Sequence, residues 1–396
     1  MISTPSTSEL GRVQYLEDVC RLLWPGGDPD ATRELIVLPR RSRPRMLVPS
    51  ERRAAATALR SYGEPGSRAA RWGSRGLALL ARSGGSRVLF RDRVRVEAAA
   101  DGGIERYLAE RLGREVRIGL YLSAPRANRK PVLQLLSPAG ELLGIAKIGA
   151  GDVAGRLVEA EHRALETVAT HRPAGVLVPQ VLAFGCWREM PVLLLGALPV
   201  QERRVALAPG ALNRAMAEVA SVGRLDWHDL AASPYADALT RRLGGVPDGD
   251  DRQLLEELID RLLERYGARP LSFGSWHGDW TPWNMASTRR GLLVWDWERF
   301  GHGVPLGFDA LHHRLQSAIV PGGEPPGDAA LRLWRDAGST LRPFTGGADE
   351  ARATALLYMI ELAGRMLADG QAAAGARLGA VGSWLLPAIE QGLERR

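Results

Sequence analysis

The chain changes its hydrophobic pattern near residue 200, with short apolar runs before it and helical spacing after it. Two short runs, Leu35–Leu38 and Met46–Val48, flank the basic turn PRRSRPR, and Ala/Arg-rich helical patterns follow over 51–62 and 67–82. Ser83-Gly-Gly-Ser86 breaks that pattern, after which RVLFRDRVRV (87–96) reads as a strand. From about residue 103, IERYLAERL predicts an amphipathic helix, and VRIGLYLS (116–123), PVLQLLS (131–137) and LGIAKIG (143–149) predict three strands. A helix is expected over 156–170, then two strands, VPQVLAFGCW (178–187) and PVLLLGAL (191–198). Beyond 200, helices are expected near 210–222, 234–243, 252–267, 307–319, 328–340, 349–369 and 371–392. The order divides the chain into an N-terminal α/β unit (1–100), a five-stranded lobe (101–199) and a helical lobe (200–396).

Composition narrows the class. With 396 residues, 45% hydrophobic and 24% charged, the chain has the make-up of a folded protein of two or three domains. Its apolar runs, such as VLLLGALPV (192–200), fall short of the ~18–20 residues that span a bilayer. The first residues lack a basic segment followed by an apolar one, and the two cysteines, Cys20 and Cys186, form neither a disulfide framework nor a metal-ligand pattern. A cytoplasmic location is the expectation. The formal charge is +7, and between Arg40 and Arg95 there are 15 arginines against Glu51, Glu64 and Asp92. That stretch is either the solvated face of an Arg-rich protein or a patch for an anionic partner. Lysine is scarce: only Lys130 and Lys147 occur, so a lysine inside the apolar strand LGIAKIG is a candidate for chemistry before any motif is considered.

The densest signal is Trp276-His277-Gly278-Asp279-Trp280-Thr281-Pro282-Trp283-Asn284, followed by Gly291-Leu-Leu-Val-Trp-Asp296-Trp-Glu298. An Asp and an Asn share a turn-rich loop, and a second Asp closes an apolar strand. Phosphoryl transfer needs such a set: a carboxylate to orient an attacking hydroxyl and accept its proton, and oxygen ligands for Mg²⁺ on the nucleotide phosphates. Asp279 suits the first task, and Asn284 and Asp296 suit the second.

HGDWTPWNM, VWDWE and Gly303-Val-Pro-Leu-Gly-Phe-Asp309 together resemble the aminoglycoside phosphotransferase and choline kinase group, relatives of the protein kinases. The resemblance covers roughly residues 103–396 and is most specific over 277–309. It implies a two-lobed α+β protein-kinase-like fold, with a five-stranded small lobe and a helical large lobe, and ATP with Mg²⁺ as cofactors. It also implies Asp279 as the catalytic residue, Asn284 and Asp296 as metal ligands, and a structural role for Asp309 and His277. Such a small lobe carries a Lys on its third strand, held by a Glu of the next helix to contact the nucleotide phosphates. Lys147 matches the first and Glu161 the second; Glu159 lies on the same helix but on another face. The turn SAPRANRKP lacks the glycines of a phosphate flap, and Arg126, Arg129 and Lys130 either touch phosphates there or are solvated. The pair His312-His313 has no metal-ligand spacing and is read as surface or core.

Five of the eleven tryptophans fall between 276 and 297. Trp280 and Trp283 either pack beneath the loop or stack on a sugar face or quaternary ammonium, while of Trp295 and Trp297 one is expected to be buried and the other to face the cleft. From 299 to 396 ten arginines balance ten acids, so a polycationic aminoglycoside acceptor is not favoured. The expected activity is ATP-dependent phosphorylation of a small-molecule hydroxyl, on a sugar, amino alcohol or biosynthetic intermediate. Nucleic acid is not an expected partner. The alternative is a catalytically silent kinase-like module that binds a nucleotide or a partner.

Overall fold

The computed structural model describes residues 7–26, 32–60, 76, 78, 79, 82, 91–97, 103–123 and 126–395. Most of the helical pattern expected over 67–82, and all of Ser83–Ser86, lie outside the described residues. The chain divides into two compact units, one of Met1–His162 with Pro179–Gln201, the other of Arg163–Val178 with Glu202–Arg396.

The first unit is built on one sheet. Its strands are β1 (Thr32–Leu38), β2 (Met46–Pro49), β3 (Arg93–Glu97), β4 (Arg117–Tyr121), β5 (Val132–Leu136), β6 (Leu142–Ile148), β8 (Val181–Trp187) and β9 (Met190–Leu195). All neighbours are antiparallel, in the order β3-β1-β2-β4-β5-β6-β9-β8. The helices are α1 (Thr7–Leu23), α2 (Arg52–Arg60), α3 (Ile104–Leu112) and the part of α4 (Asp152–His171) that precedes Arg163. The five strands expected of this lobe are present as β4, β5, β6, β8 and β9, but the five-stranded description is corrected to eight. Leu47 of β2 pairs with Leu120 of β4, so the early strands cover what would be a bare edge.

Alternation explains why those early runs are apolar throughout. Leu35, Val37 and Leu47 point to one face and join Ile118, Leu120, Leu133 and Leu135 in a core closed by Leu16 and Val19 of α1 and Ile104 and Leu108 of α3. Ile36, Leu38, Met46 and Val48 point to the other face, onto Ala54, Ala58 and Leu59 of α2. A strand covered on both faces loses the apolar/polar alternation that marks a half-buried one. α1 was not expected at all; among its described side chains the buried stripe is narrow, Leu16, Val19 and Leu23. It is tied to the β4–β5 turn by Arg129, whose guanidinium lies 3.4 Å from the Tyr15 ring centroid and donates to the Gly11 carbonyl (3.1 Å) and to the Ser123 carbonyl.

The second unit contains β7 (Val176–Leu177), α5 (Ala211–Ala220), β10 (Asp226–Asp229), α6 (Pro234–Leu243), α7 (Asp250–Tyr266), β11 (Pro270–Trp276), β12 (Met285–Thr288), β13 (Gly291–Val294) and β14 (Gly301–Pro305). The helices α8 (Phe308–Ile319), α9 (Pro326–Arg335), α10 (Ala337–Thr340), α11 (Ala348–Ala368) and α12 (Leu385–Glu394) complete it. Its strands form two small sheets, β10-β11-β14 and β12-β13-β7, so the lobe expected to be helical is mixed. The helix expected over 371–392 is only α12, because Gly370 and Gly375 turn the chain left-handed at φ 66° and 73°. α11 is buried almost all round, and it carries a polar stripe, Tyr358, Glu361 and Arg365, at helical spacing. Among the described residues, no helix is long and apolar enough to cross a membrane.

Candidate active site

In the first unit the chemistry centres on β6. Ala146 and Ile148 face the core beneath α3, so Lys147 between them points to the opposite face of the sheet. There its Nζ lies 2.6 Å from both carboxylate oxygens of Glu161 on α4. Both side chains are buried, Glu161 completely. Arg129 is committed to α1 and the Ser123 carbonyl, and Lys130 is buried; the described geometry gives neither the character of a solvated loop charge.

In the second unit, β11 ends at Trp276 and delivers His277, Gly278 and Asp279 into a loop held from several directions. Asp309, in the first turn of α8, accepts the N–H groups of His277 (2.7 Å) and Gly278 (3.1 Å). Arg365 of α11 donates to the Gly278 carbonyl at 2.6 Å. Gly278 has φ 81°, and a Cβ there would lie 2.1 Å from the Arg299 carbonyl oxygen, so no other residue fits without moving the backbone. His277 lies within 3.2 Å of two main-chain partners: its Nδ1 accepts the Asp279 N–H, and its Nε2–H donates to the Trp295 carbonyl.

Asp279 is the group this scaffold presents. Its Oδ1 lies 2.9 Å from His312 Nε2 on α8, and its Oδ2 accepts from Asn284 Nδ2 at 2.9 Å. The side chain remains 31% exposed, whereas that of His312 is 2% exposed. Burial pushes the Asp279 carboxyl up, but the hydrogen bond from His312, with the Arg365 guanidinium behind, outweighs burial and holds it below its usual range. Burial depresses His312, and drives His277 down to about 4, so both rings are neutral at pH 7. Burial also raises the Asp309 carboxyl to about 7 in spite of the two N–H groups it accepts.

Oxygen donors for a hard cation lie in the same unit. Asn284 spends its Nδ2 on Asp279, which turns its Oδ1 away from that carboxylate. Asp296 and Glu298 offer carboxylate oxygens within 4.8 Å of each other. An all-oxygen set of this kind fits Mg²⁺. Asp296 adopts the left-handed conformation, φ 71° and ψ 56°, unusual for a residue with a Cβ though Asp tolerates it better than most. Backbone conformations of this type cluster at functional sites.

Thus Lys147 and Glu161 meet in one unit, and Asp279 and Asn284 meet in the other, with Asp296 among the charges acting on Asp279. Sequence reasoning missed Glu298, Tyr358, Arg365 and the position of His312. His312 follows Asp309 by one helical turn and shares its face, which was the available signal; the α11 residues offered none. Trp280 and Trp297 are fully buried, so Trp280 packs under the loop and does not stack on an acceptor, while Trp283 and Trp295 are partly exposed.

An α+β chain with an HGD loop clasped by Asp309 and an Asp at the end of β13 has the make-up expected of a phosphotransferase. The sequence profile of the phosphotransferase enzyme family matches residues 145–344, just over half of the chain, and the chain belongs to that family. No curated protein sequence matches at a significant level. The apo form of a thermostable mutant of the aminoglycoside phosphotransferase APH(4)-Ia has the same fold, at 14% identity over 74% of this chain and 98% of that one, with a TM-score of 0.50. The same enzyme in a ternary complex with ADP and hygromycin B gives a TM-score of 0.48 at 14% identity, over 74% of this chain and 98% of that one. Amicoumacin kinase hAmiN, complexed with AMP-PNP, Ca²⁺ and its ligand, gives 0.40 at 12% identity, over 67% of this chain and 86% of that one.

Proposed function

We propose that the protein is an ATP-dependent phosphotransferase that moves the γ-phosphate to a hydroxyl of a small molecule. The observation that carries this reading is Asp279, an ionised carboxylate held on both oxygens by neutral donors yet still partly exposed. Asp279 orients the acceptor hydroxyl and takes its proton as the new oxygen–phosphorus bond forms. The bond from the γ-phosphorus to the bridging oxygen breaks, and ADP leaves with that electron pair. In a loose transition state the proton moves late, so a carboxylate of low basicity serves mainly by alignment.

Lys147, fixed by Glu161, contacts the nucleotide phosphates. Asn284 and Asp296 hold Mg²⁺, and Glu298 is placed to support Asp296. Bound Mg²⁺ supplies charge neutralisation at the phosphates. By this reading residues 101–199 serve the nucleotide and 200–396 the acceptor, while 1–100 bears on partner choice, including an anionic one for its arginines. A cytoplasmic setting agrees with the two free cysteines. The test is ADP release from Mg²⁺·ATP across a panel of sugars, amino alcohols and aminoglycosides. One hydroxyl class should raise release in a Mg²⁺-dependent way; a chain that binds no Mg²⁺·ATP would refute the reading.

A further inference from the structure

We infer that Tyr358 and His312 form a two-step hydrogen-bond relay that positions Asp279, with Tyr358 anchoring the imidazole through Nδ1 and His312 locking the carboxylate. The inference rests on the proposed phosphotransfer and deepens it. His312 Nε2 lies 2.9 Å from Asp279 Oδ1, and its Nδ1 lies 2.9 Å from the Tyr358 hydroxyl. His312 and Tyr358 are sealed from solvent, on α8 and α11. An ionised carboxylate is acceptor-only, so Nε2 must carry a proton. Nδ1 then either accepts from the tyrosine hydroxyl, giving a neutral ring, or donates to it, giving a buried cation. Burial favours the neutral ring, and the nearby Arg365 guanidinium adds to that preference. Tyr358 therefore donates to Nδ1.

The consequence is specific to this carboxylate. The carboxylate fixes the proton on Nε2, and Tyr358, by donating to Nδ1, satisfies the buried lone pair that this tautomer leaves and holds the ring in place. His312 on one oxygen and Asn284 on the other then fix the rotation of the carboxylate about its own bond. Neither donor carries a formal charge, so Asp279 keeps its charge for the acceptor hydroxyl. His312 and Tyr358 are positioning residues: they act through Asp279.

The experiment uses the full chain and follows ADP release from Mg²⁺·ATP with water as acceptor, alongside the ¹⁵N imidazole spectrum of histidine-labelled protein at pH 7. His312 should appear as the neutral Nε2–H tautomer, and Tyr358→Phe should move its unprotonated Nδ1 resonance to higher frequency as the hydrogen bond to that lone pair is lost. Tyr358→Phe should lower kcat roughly fivefold and His312→Leu roughly thirtyfold, with the KM for ATP unchanged in both, on the scale of one or two lost hydrogen bonds. His312→Gln supplies an amide donor in place of Nε2–H and has no imidazole Nδ1 for Tyr358 to anchor. It should stay within about threefold of the parent, and Tyr358→Phe should have no further effect in that background. A charged or Nδ1–H imidazole, or a His312→Leu protein with parental kcat, overturns the relay. Should His312→Leu fail to fold, the spectrum and the Gln/Phe cycle still decide. Asp279→Asn separates the two ideas: parental turnover there removes the phosphotransfer reading, whereas loss of turnover beside an unaffected Tyr358→Phe removes the relay alone.

Discussion

The Lys147–Glu161 pair and the Asp279 cluster are both buried charge assemblies, but they are built on different principles. Lys147, on a strand, is held by both oxygens of the enclosed Glu161 carboxylate on the helix that follows. Asp279 is held by a loop braced from β11, α8 and α11 through Asp309, Arg365 and His312, and it keeps a third of its side chain exposed. The pair depends on mutual neutralisation, so losing one member takes away the opposite charge that faces the other in a buried place. The cluster spreads its constraint over many neutral and charged contacts, so single losses there change orientation more than stability. A group that must bind a mobile polyanion is served by a stiff point charge; a group that must meet a hydroxyl in line is served by fixed rotation.

The largest expected effect separates these principles. Glu161→Gln should lower stability by about 3–5 kcal/mol, the cost of taking away the charge that faces a buried ammonium, and Lys147→Met should do the same to the carboxylate. Replacing both with Met should recover most of that loss in thermal or urea unfolding while leaving ATP use impaired. Equal stability of the single variants and the parent would mean the pair is solvated.

Next in size is a pH effect confined to the loop. Asp309 keeps a proton in the folded chain, up to about 7, that the unfolded chain releases near 3.8, so its contribution falls as pH rises across that window. His277 refuses in the folded chain, down to about 4, a proton that the unfolded chain accepts near 6.5, so its contribution falls as pH drops across that window. Each slope approaches about 1.4 kcal/mol per pH unit, with opposite signs, and the two largely offset each other. Asp309→Asn should make stability fall more steeply as pH drops from 6.5 to 4, and His277→Gln should make it fall as pH rises from 4 to 7. Parallel pH profiles for the parent and both variants would contradict the burial argument. The smallest effect concerns the acceptor: Trp283→Ala should raise the acceptor KM a few-fold with little change in kcat, whereas Trp280→Ala should lose about 3–5 kcal/mol of stability as a core truncation.

Legibility follows the same divide. Lys147 and Glu161 were readable because a strand and the following helix bring them together across 14 residues, and because lysine is so rare in this chain. The loop from His277 to Asn284 was readable because its spacing is itself local. Tyr358 and Arg365 were not, since their contacts to His312 and Gly278 span 46 and 87 residues and only the packing of α11 creates them. The early strands were legible as apolar runs, but their joining of β4 depends on an edge in three dimensions that no run of residues announces. α1 hid behind a narrow stripe.

The central claim is that Asp279 aligns a hydroxyl for transfer while Asn284 and Asp296 serve the metal. Nucleotide titration and single-turnover transfer from γ-labelled ATP, carried out on Asp279→Asn and Asp296→Asn in parallel, test it most directly. The account predicts that Asp279→Asn binds Mg²⁺·ATP nearly as the parent does and loses at least ~10²-fold in the transfer step, whereas Asp296→Asn weakens Mg²⁺·ATP binding itself. Parental transfer by Asp279→Asn, or unchanged Mg²⁺·ATP binding by Asp296→Asn, would contradict it.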